Sequence, residues 1–130
     1  MAFPINPSIN AIHDNNGRVW LFNGYAWRRL TDILIQNTTF VTGPSYSANY
    51  ADYYIGVSYN GTAGIVLPSD PITGTVVVVK DESGRAGEPY KYIVIRGATY
   101  SHTIDNSDSA TININNGAID LIYRNGWRII

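Results

Sequence analysis

The sequence has 130 residues, enough for one domain with its own core and a short appended module. Only 15% of the residues are charged, whereas about 25% is usual in soluble domains, and the formal net charge is −1. Lys80 and Lys91 are the only lysines, so no basic stripe exists for nucleic acid, and the absence of cysteine excludes disulfides and thiolate metal sites.

Membrane and export signals are also missing from the sequence. The longest apolar run, Val76 to Val79, is far shorter than the ~20 residues that span a bilayer. The first ten residues lack the positive start and apolar core of a signal peptide. We therefore expect a soluble product, made in a cytoplasm, with no membrane insertion.

The N-terminal part is predicted to be an extended arm followed by a β-hairpin. Residues 1–12 contain two prolines and no sustained hydrophobic period, which favours an arm. Residues 18–30 place Asn23-Gly24 between two short aromatic runs, which predicts a hairpin. A lone hairpin is marginal in water, so its aromatic face needs its own domain, another subunit or another protein to cover it.

Residues 31–40 contain a short apolar run that we interpret as a strand or a connection rather than a helical turn. Gly43-Pro44-Ser45 then interrupts the pattern. We expect the boundary between an N-terminal module, residues 1–42, and a main domain, residues 43–130, at this point.

The main domain is predicted to be all-β. Strand signals recur every 8 to 12 residues and are separated by turn signals such as Asn116-Gly117 and Asn125-Gly126. The predicted strands include 53–59, 64–67, 75–80, 91–96 and 99–104, followed by a meander over 109–130. About eight such strands are typical of an antiparallel β-sandwich or a jelly roll.

The apolar end of the sequence predicts an ordered closing strand. Trp127, Ile129 and Ile130 are expected to be buried, either in the chain's own sheet or also against another subunit, with Arg128 on the opposite face. Low charge and strands that are apolar on both faces favour an oligomer. The expected subunit-interface residues are Tyr53, Tyr54, Trp127, Ile129 and Ile130.

No catalytic motif is present, so we expect no catalytic residues, no cofactor and no enzyme activity. The segment from Gly84 to Gly87 is typical of a hairpin loop rather than a phosphate-binding loop. His102, Asp105 and Asp108 share a spacing of three, but they lie in a segment of ordinary turn composition. We therefore expect no metal site.

The tyrosines between residues 46 and 59 allow two interpretations. Tyr rings anchor cores and protein interfaces, and this is the favoured use. They also stack on the CH faces of sugars, and neighbouring Asn, Asp and Ser side chains could meet the hydroxyls. In that alternative, Tyr50, Asp52 and Tyr59 would contact a glycan.

Two sets of motifs carry a resemblance to a known class of proteins. Phe3-Pro4-Ile5-Asn6-Pro7, Asn16-Gly17-Arg18-Val19-Trp20 and Asn23-Gly24-Tyr25-Ala26-Trp27 resemble a short module at the N-termini of tailed-bacteriophage appendage and structural proteins. The remaining motifs are similar to a β domain of phage virion proteins that is frequent among phages of cyanobacteria. They are Asp52-Tyr53-Tyr54-Ile55-Gly56-Val57, Ile65-Val66-Leu67-Pro68, Val79-Lys80-Asp81-Glu82-Ser83-Gly84, Leu121-Ile122-Tyr123 and Gly126-Trp127.

This resemblance implies a structural protein of the virion, such as a trimeric fibre, a tip or a capsid-decoration subunit, whose partners are other virion proteins. It implies docking on the particle through the N-terminal module, by residues Phe3, Pro4, Pro7, Trp20, Phe22 and Trp27. The alternatives are a module that binds a host surface glycan and a cement protein that only stabilises the capsid.

Overall fold

The computed structural model describes residues 3–15, 18–29 and 36–130. These residues form twelve strands and no helix, so the all-β prediction is confirmed. The chain divides into two compact units, residues 1–35 and 36–130, which are described separately. The predicted apolar run at 31–35 and the Asn-Gly motif at 16–17 lie outside the described residues.

The first unit is a three-stranded antiparallel sheet in the order β1-β2-β3. Its strands are β1 (Ile12–Asn15), β2 (Arg18–Phe22) and β3 (Trp27–Arg29). The predicted hairpin is present, because the Asn23 carboxamide oxygen accepts hydrogen bonds from the backbone N–H groups of Tyr25 and Ala26 at 3.0 and 2.9 Å. The predicted arm ends earlier than expected, since its last residue already begins β1.

The second unit contains nine strands in two sheets. They are β4 (Thr38–Val41), β5 (Ser45–Ser47), β6 (Tyr54–Val57), β7 (Ala63–Val66), β8 (Val76–Asp81), β9 (Ile93–Arg96), β10 (Ser109–Ile112), β11 (Ala118–Tyr123) and β12 (Trp127–Ile129). The five-stranded sheet has the order β12-β11-β8-β6-β4, and the four-stranded sheet has the order β10-β9-β7-β5.

The chain crosses from one sheet to the other after each strand from β4 to β8. Two successive strands, one in each sheet, make one coil of the chain. Each strand pairs with the corresponding strand of the preceding coil and runs in the same direction, so β4, β6 and β8 are parallel, as are β5, β7 and β9. The expectation of an antiparallel domain was wrong for these pairs. It holds only for β9–β10, β8–β11 and β11–β12. The result is a sandwich of three stacked coils, extended by antiparallel strands on the last coil.

The core lies between the two sheets. Inward positions alternate along the strands, as with Val77 and Val79 in β8 and Ile93 and Ile95 in β9. The fully buried side chains of both sheets form one apolar cluster that also contains Leu121. Burial of these apolar side chains supplies most of the stabilisation of the second unit, whose described residues form no helix.

One expected domain boundary and one expected strand differ from the structure. A boundary between residues 42 and 43 would separate β4 from the five-stranded sheet, in which Thr38 to Val41 pair with Tyr54 to Val57. The predicted strand at 99–104 was wrong: these residues form a loop, and Ile104 makes only isolated bridges to Ser107 and Trp127. Gly97 starts that loop so tightly that a Cβ there would lie 2.1 Å from the backbone oxygen of His102.

Candidate functional site

The aromatic residues of the first unit pack on one another. The Phe3 ring stacks on Trp27, with ring centroids 5.3 Å apart and planes 16° from parallel, and meets Trp20 edge-on at 5.3 Å. His13 contacts both Phe3 and Trp27, at 5.4 and 5.9 Å. The start of the chain therefore provides the cover that the hairpin's aromatic face needs.

The other residues predicted to dock on a particle lie around this cluster. Phe22 is half-buried and contacts Trp27 at 5.5 Å, while Pro7 is half-buried and Pro4 is exposed. The most exposed large apolar side chains of this unit's described residues include Ile5, Ile9 and Ile12, which sequence reasoning did not single out. These isoleucines are isolated from one another in a polar segment, and a search for hydrophobic periodicity does not detect isolated apolar residues.

Asp52 lies inside the first coil of the second unit and is 5% exposed. One carboxylate oxygen accepts a hydrogen bond from Thr39 Oγ1 at 2.5 Å. The other accepts from the Tyr46 hydroxyl at 2.8 Å and from the backbone N–H of Asn49 at 2.9 Å. Burial alone would raise the pKa of Asp52, but these hydrogen bonds outweigh it and hold the pKa below its usual value.

Asp81 is the second buried carboxylate, and it organises the loop after β8. It is 1% exposed and accepts hydrogen bonds from the Ser83 hydroxyl and from backbone N–H groups of Ser83, Ala86 and Asn116, at 2.6 to 3.1 Å. Burial opposes ionisation, yet the hydrogen bonds lower the pKa of Asp81. Both buried carboxylates are thus fully engaged in holding the fold together.

These contacts correct the expected glycan surface. Asp52 faces the interior, and both of its oxygens accept hydrogen bonds from the chain itself. Tyr59 is half-buried and packs against the core, while Tyr50 is 91% exposed on the turn before Asp52. The structure therefore does not bring the three residues together as one surface.

The predicted subunit-interface residues fall into three environments. Trp127 is completely buried in the chain's own core, which confirms its place in a closing strand and removes it from any subunit surface. Ile129 and Ile130 are 45% and 69% exposed, so the expectation that they are buried in the sheet was wrong. Ile129 ends β12, which is the edge strand of the five-stranded sheet, and Ile130 follows it. Tyr53 and Tyr54 are half-buried.

A groove of about 700 Å³ opens beside the end of β9. Val94 and Arg96 of β9, the loop from Gly97 to His102, and Asp108 with Ser109 at the start of β10 line it. Arg96 pairs in register with Ser109, which brings the two strand ends together. Its volume falls within the range of roughly 300 to 1,000 Å³ that is usual for small-ligand sites.

The two charged groups of this groove are not used by the fold. Within residues 3–15, 18–29 and 36–130, neither the Arg96 guanidinium nor the Asp108 carboxylate has a hydrogen-bond or ion-pair partner. The Tyr100 ring stands fully in solvent at the groove wall. His102 contacts Tyr123 edge-on at 5.9 Å, and its buried Nδ1 has no partner among the described residues. Sequence reasoning singled out neither Arg96 nor Tyr100. Arg96 was predicted to lie in an ordinary strand over 91–96, and the loop that carries Tyr100 was predicted as a strand over 99–104.

The part of the chain that the structure describes holds neither a metal cluster nor a membrane-spanning helix. No three His, Asp or Glu side chains gather there to hold a metal ion, and His102, Asp105 and Asp108 do not form such a group. No helix of the described residues is long and apolar enough to span a bilayer.

Comparison with known proteins shows no family for this chain. No family model matches the chain, and no curated protein matches it. The chain is similar to one in a solved structure described as "Structure of a chaperone-substrate complex", with 14% identity and a TM-score of 0.47. The match covers 86% of this chain and 20% of that one, so this chain spans about a fifth of its length. A likeness at this level carries no argument about function.

Proposed function

We propose that the chain is a structural subunit of a tailed-phage virion, forming part of a fibre, a tip or a capsid decoration. The observation that carries the proposal is the correspondence between motifs and units. The motifs from Phe3 to Trp27 that resemble a virion-docking module all lie in the first unit. Those from Asp52 to Trp127 that resemble a virion β domain all lie in the second.

The resembling residues of the second unit are those on which its fold depends. Asp52 and Asp81 accept the hydrogen bonds that close two loops, and Trp127 fills the core. A resemblance in residues of this kind supports a shared architecture more strongly than a shared binding site. A structural role requires a shared architecture of this kind.

The described carboxylates also favour a structural role over catalysis. Asp52 and Asp81 are the only buried charged residues that the structure describes, and every oxygen of both accepts at least one hydrogen bond. Their lowered pKa values keep them ionised at neutral pH, whereas a general acid needs a raised pKa.

Within the proposal, the first unit docks on other virion proteins and the second forms a homotrimer. Exposed Ile5, Ile9 and Ile12 give the first unit an apolar surface suited to docking. Exposed Ile129 and Ile130, with half-buried Tyr53 and Tyr54, are the side chains proposed for the trimer interface. A cement protein without further binding partners is the simpler form of the same proposal.

The test is incorporation into particles of a phage that carries the gene, measured by mass spectrometry of purified virions. We expect the full chain in the particles and a strong loss of incorporation for Ile5→Ser, because Ile5 is 89% exposed and its replacement does not disturb the aromatic cluster. Ile72→Ser is the matched control, since Ile72 is 80% exposed in the second unit. Absence of the full chain from particles would refute the virion role.

A further inference from the structure

The groove beside β9 holds one cation and one anion that the fold leaves unpaired. Arg96 and Asp108 line the same groove, yet no ion pair joins them in the structure, so their charged groups are farther apart than 4 Å. Both side chains are exposed, so a bound ligand can reach them. We propose that this groove binds a saccharide, with Arg96 and Asp108 on either side of the sugar ring.

The lining selects a ligand that both donates and accepts hydrogen bonds. A guanidinium only donates, and an ionised carboxylate only accepts. A sugar hydroxyl does both, so neighbouring hydroxyls of one ring satisfy Arg96 and Asp108 together. The Ser109 hydroxyl, at the start of β10, adds a group that can either donate or accept a hydrogen bond.

Tyr100 supplies the flat apolar surface that such a ring requires. Its side chain is fully exposed, although a free tyrosine ring gains by covering its apolar face. It projects from a loop that is fixed at both ends, by the close approach of Gly97 to His102 and by the hydrogen bond from the His102 N–H to the Thr99 oxygen at 3.0 Å. An exposed ring beside two unpaired polar groups suits the CH face of a sugar.

Apart from His102, the remaining lining is small or apolar. Val94 forms part of the floor, and Ala98 and Gly97 carry no long side chain into the space. The volume of about 700 Å³ is open to solvent rather than enclosed, which suits the end or the middle of an oligosaccharide chain. The inference does not depend on the virion role, because it rests on this groove alone.

The experiment is binding of the full chain to an array of immobilised neutral and acidic glycans, followed by calorimetric titration with the best soluble oligosaccharide found. We expect Asp108→Asn, Arg96→Ala and Tyr100→Ala each to weaken binding at least about tenfold, since each removes one recognition element. Tyr90→Ala is the control, because Tyr90 is 84% exposed but lies in the loop after β8, outside the groove. It should bind as the parent does.

Three outcomes would overturn the proposal. The first is no binding to any glycan on the array by the folded chain. The second is binding that Tyr90→Ala weakens as much as Tyr100→Ala, which would place the site elsewhere. The third is binding of free glycine or of a zwitterionic dipeptide in the groove with no glycan binding, since a carboxylate on Arg96 and an ammonium on Asp108 would then be the ligand chemistry. Unchanged thermal unfolding of the variants shows that the fold is intact, as expected for exposed side chains.

Discussion

The two ends of the coil stack in the second unit close the space between the sheets with opposite chemistry. At the first coil, Thr39 of β4 and Tyr46 of β5 reach inward to the Asp52 carboxylate. At the far end, Trp127 is fully buried with Leu121, and Ile104 bridges to it from the loop before β10. One end is closed by hydrogen bonds and the other by apolar packing.

The difference determines how each end responds to change. An apolar end loses stability in proportion to the surface and volume removed, whatever the pH. A polar end depends on every buried donor having its acceptor, and on the charge of that acceptor. The two ends should therefore differ in the size of mutational effects and in their dependence on pH.

The largest effect is expected for Trp127→Ala in the apolar end. Trp127 is completely buried and contacts Tyr123 edge-on at 5.4 Å, so its removal leaves a large cavity. Deletions of this kind cost about 3 to 5 kcal/mol of unfolding free energy. Urea unfolding followed by circular dichroism measures the change.

Arg128→Ala is the neighbouring control. Its side chain is half-buried, and its guanidinium donates only to the backbone oxygens of Arg124 and Asn125 near the surface. We expect a loss of less than about 1 kcal/mol. Equal losses for the two variants would mean that Trp127 does not close the stack.

The second effect, of about 2 to 3 kcal/mol, is expected for Asp52→Ala in the polar end. The substitution leaves the Thr39 and Tyr46 hydroxyls and the Asn49 N–H without their acceptor in a nearly dry site. Asp108→Ala, which removes an exposed carboxylate without partners among the described residues, should change stability little. If both aspartates proved equally dispensable, the polar end would have no structural role.

The same contrast explains how much of the second unit could be predicted from the sequence. Trp127 was assigned correctly to a closing strand, because an aromatic residue in an alternating pattern has few stable places other than a core. Asp52 was assigned to a surface, because Asp is mostly exposed and the sequence does not reveal which hydroxyls will surround it. Three donors, from β4, β5 and the loop after β5, make its burial favourable, and only the fold brings them together.

The parallel coils could not be predicted from the strand pattern either. A strand such as β8 has the same alternation whether its neighbours run parallel or antiparallel to it, so the period fixes which residues face inward but not the pairing. Short connections favoured antiparallel hairpins. The chain instead crosses to the opposite sheet in the loops after Val41 and Val57. The groove was missed for a related reason, since its loop carries an apolar-polar alternation without forming a strand.

The third prediction separates the two ends by pH. Because the pKa of Asp52 is lower in the folded chain than in the unfolded chain, the unfolded chain takes up the proton first when the pH falls below about 3.9, and the contribution of Asp52 to stability is then lost. The difference in unfolding free energy between the parent and Asp52→Asn should therefore shrink from neutral pH into this acidic range. The difference in unfolding free energy between the parent and Trp127→Ala should stay constant over the same pH range. Asp81 titrates similarly, but it is present in all of these proteins, so its contribution cancels in each difference.

The smallest effect is expected for Tyr46→Phe, which removes one hydroxyl and keeps the ring against the core. The hydroxyl donates to Asp52 at 2.8 Å, and burial together with this carboxylate raises the pKa of Tyr46, so the hydroxyl remains a donor at neutral pH. Asp52 retains two other donors, so we expect a loss of about 0.5 to 1.5 kcal/mol. In the double variant with Asp52→Ala, Tyr46→Phe should cost less than it does alone and even restore stability, because it removes a hydroxyl that has lost its acceptor. Strictly additive losses in urea unfolding would show that the two side chains act independently, and the first coil would then be closed by packing as the last one is.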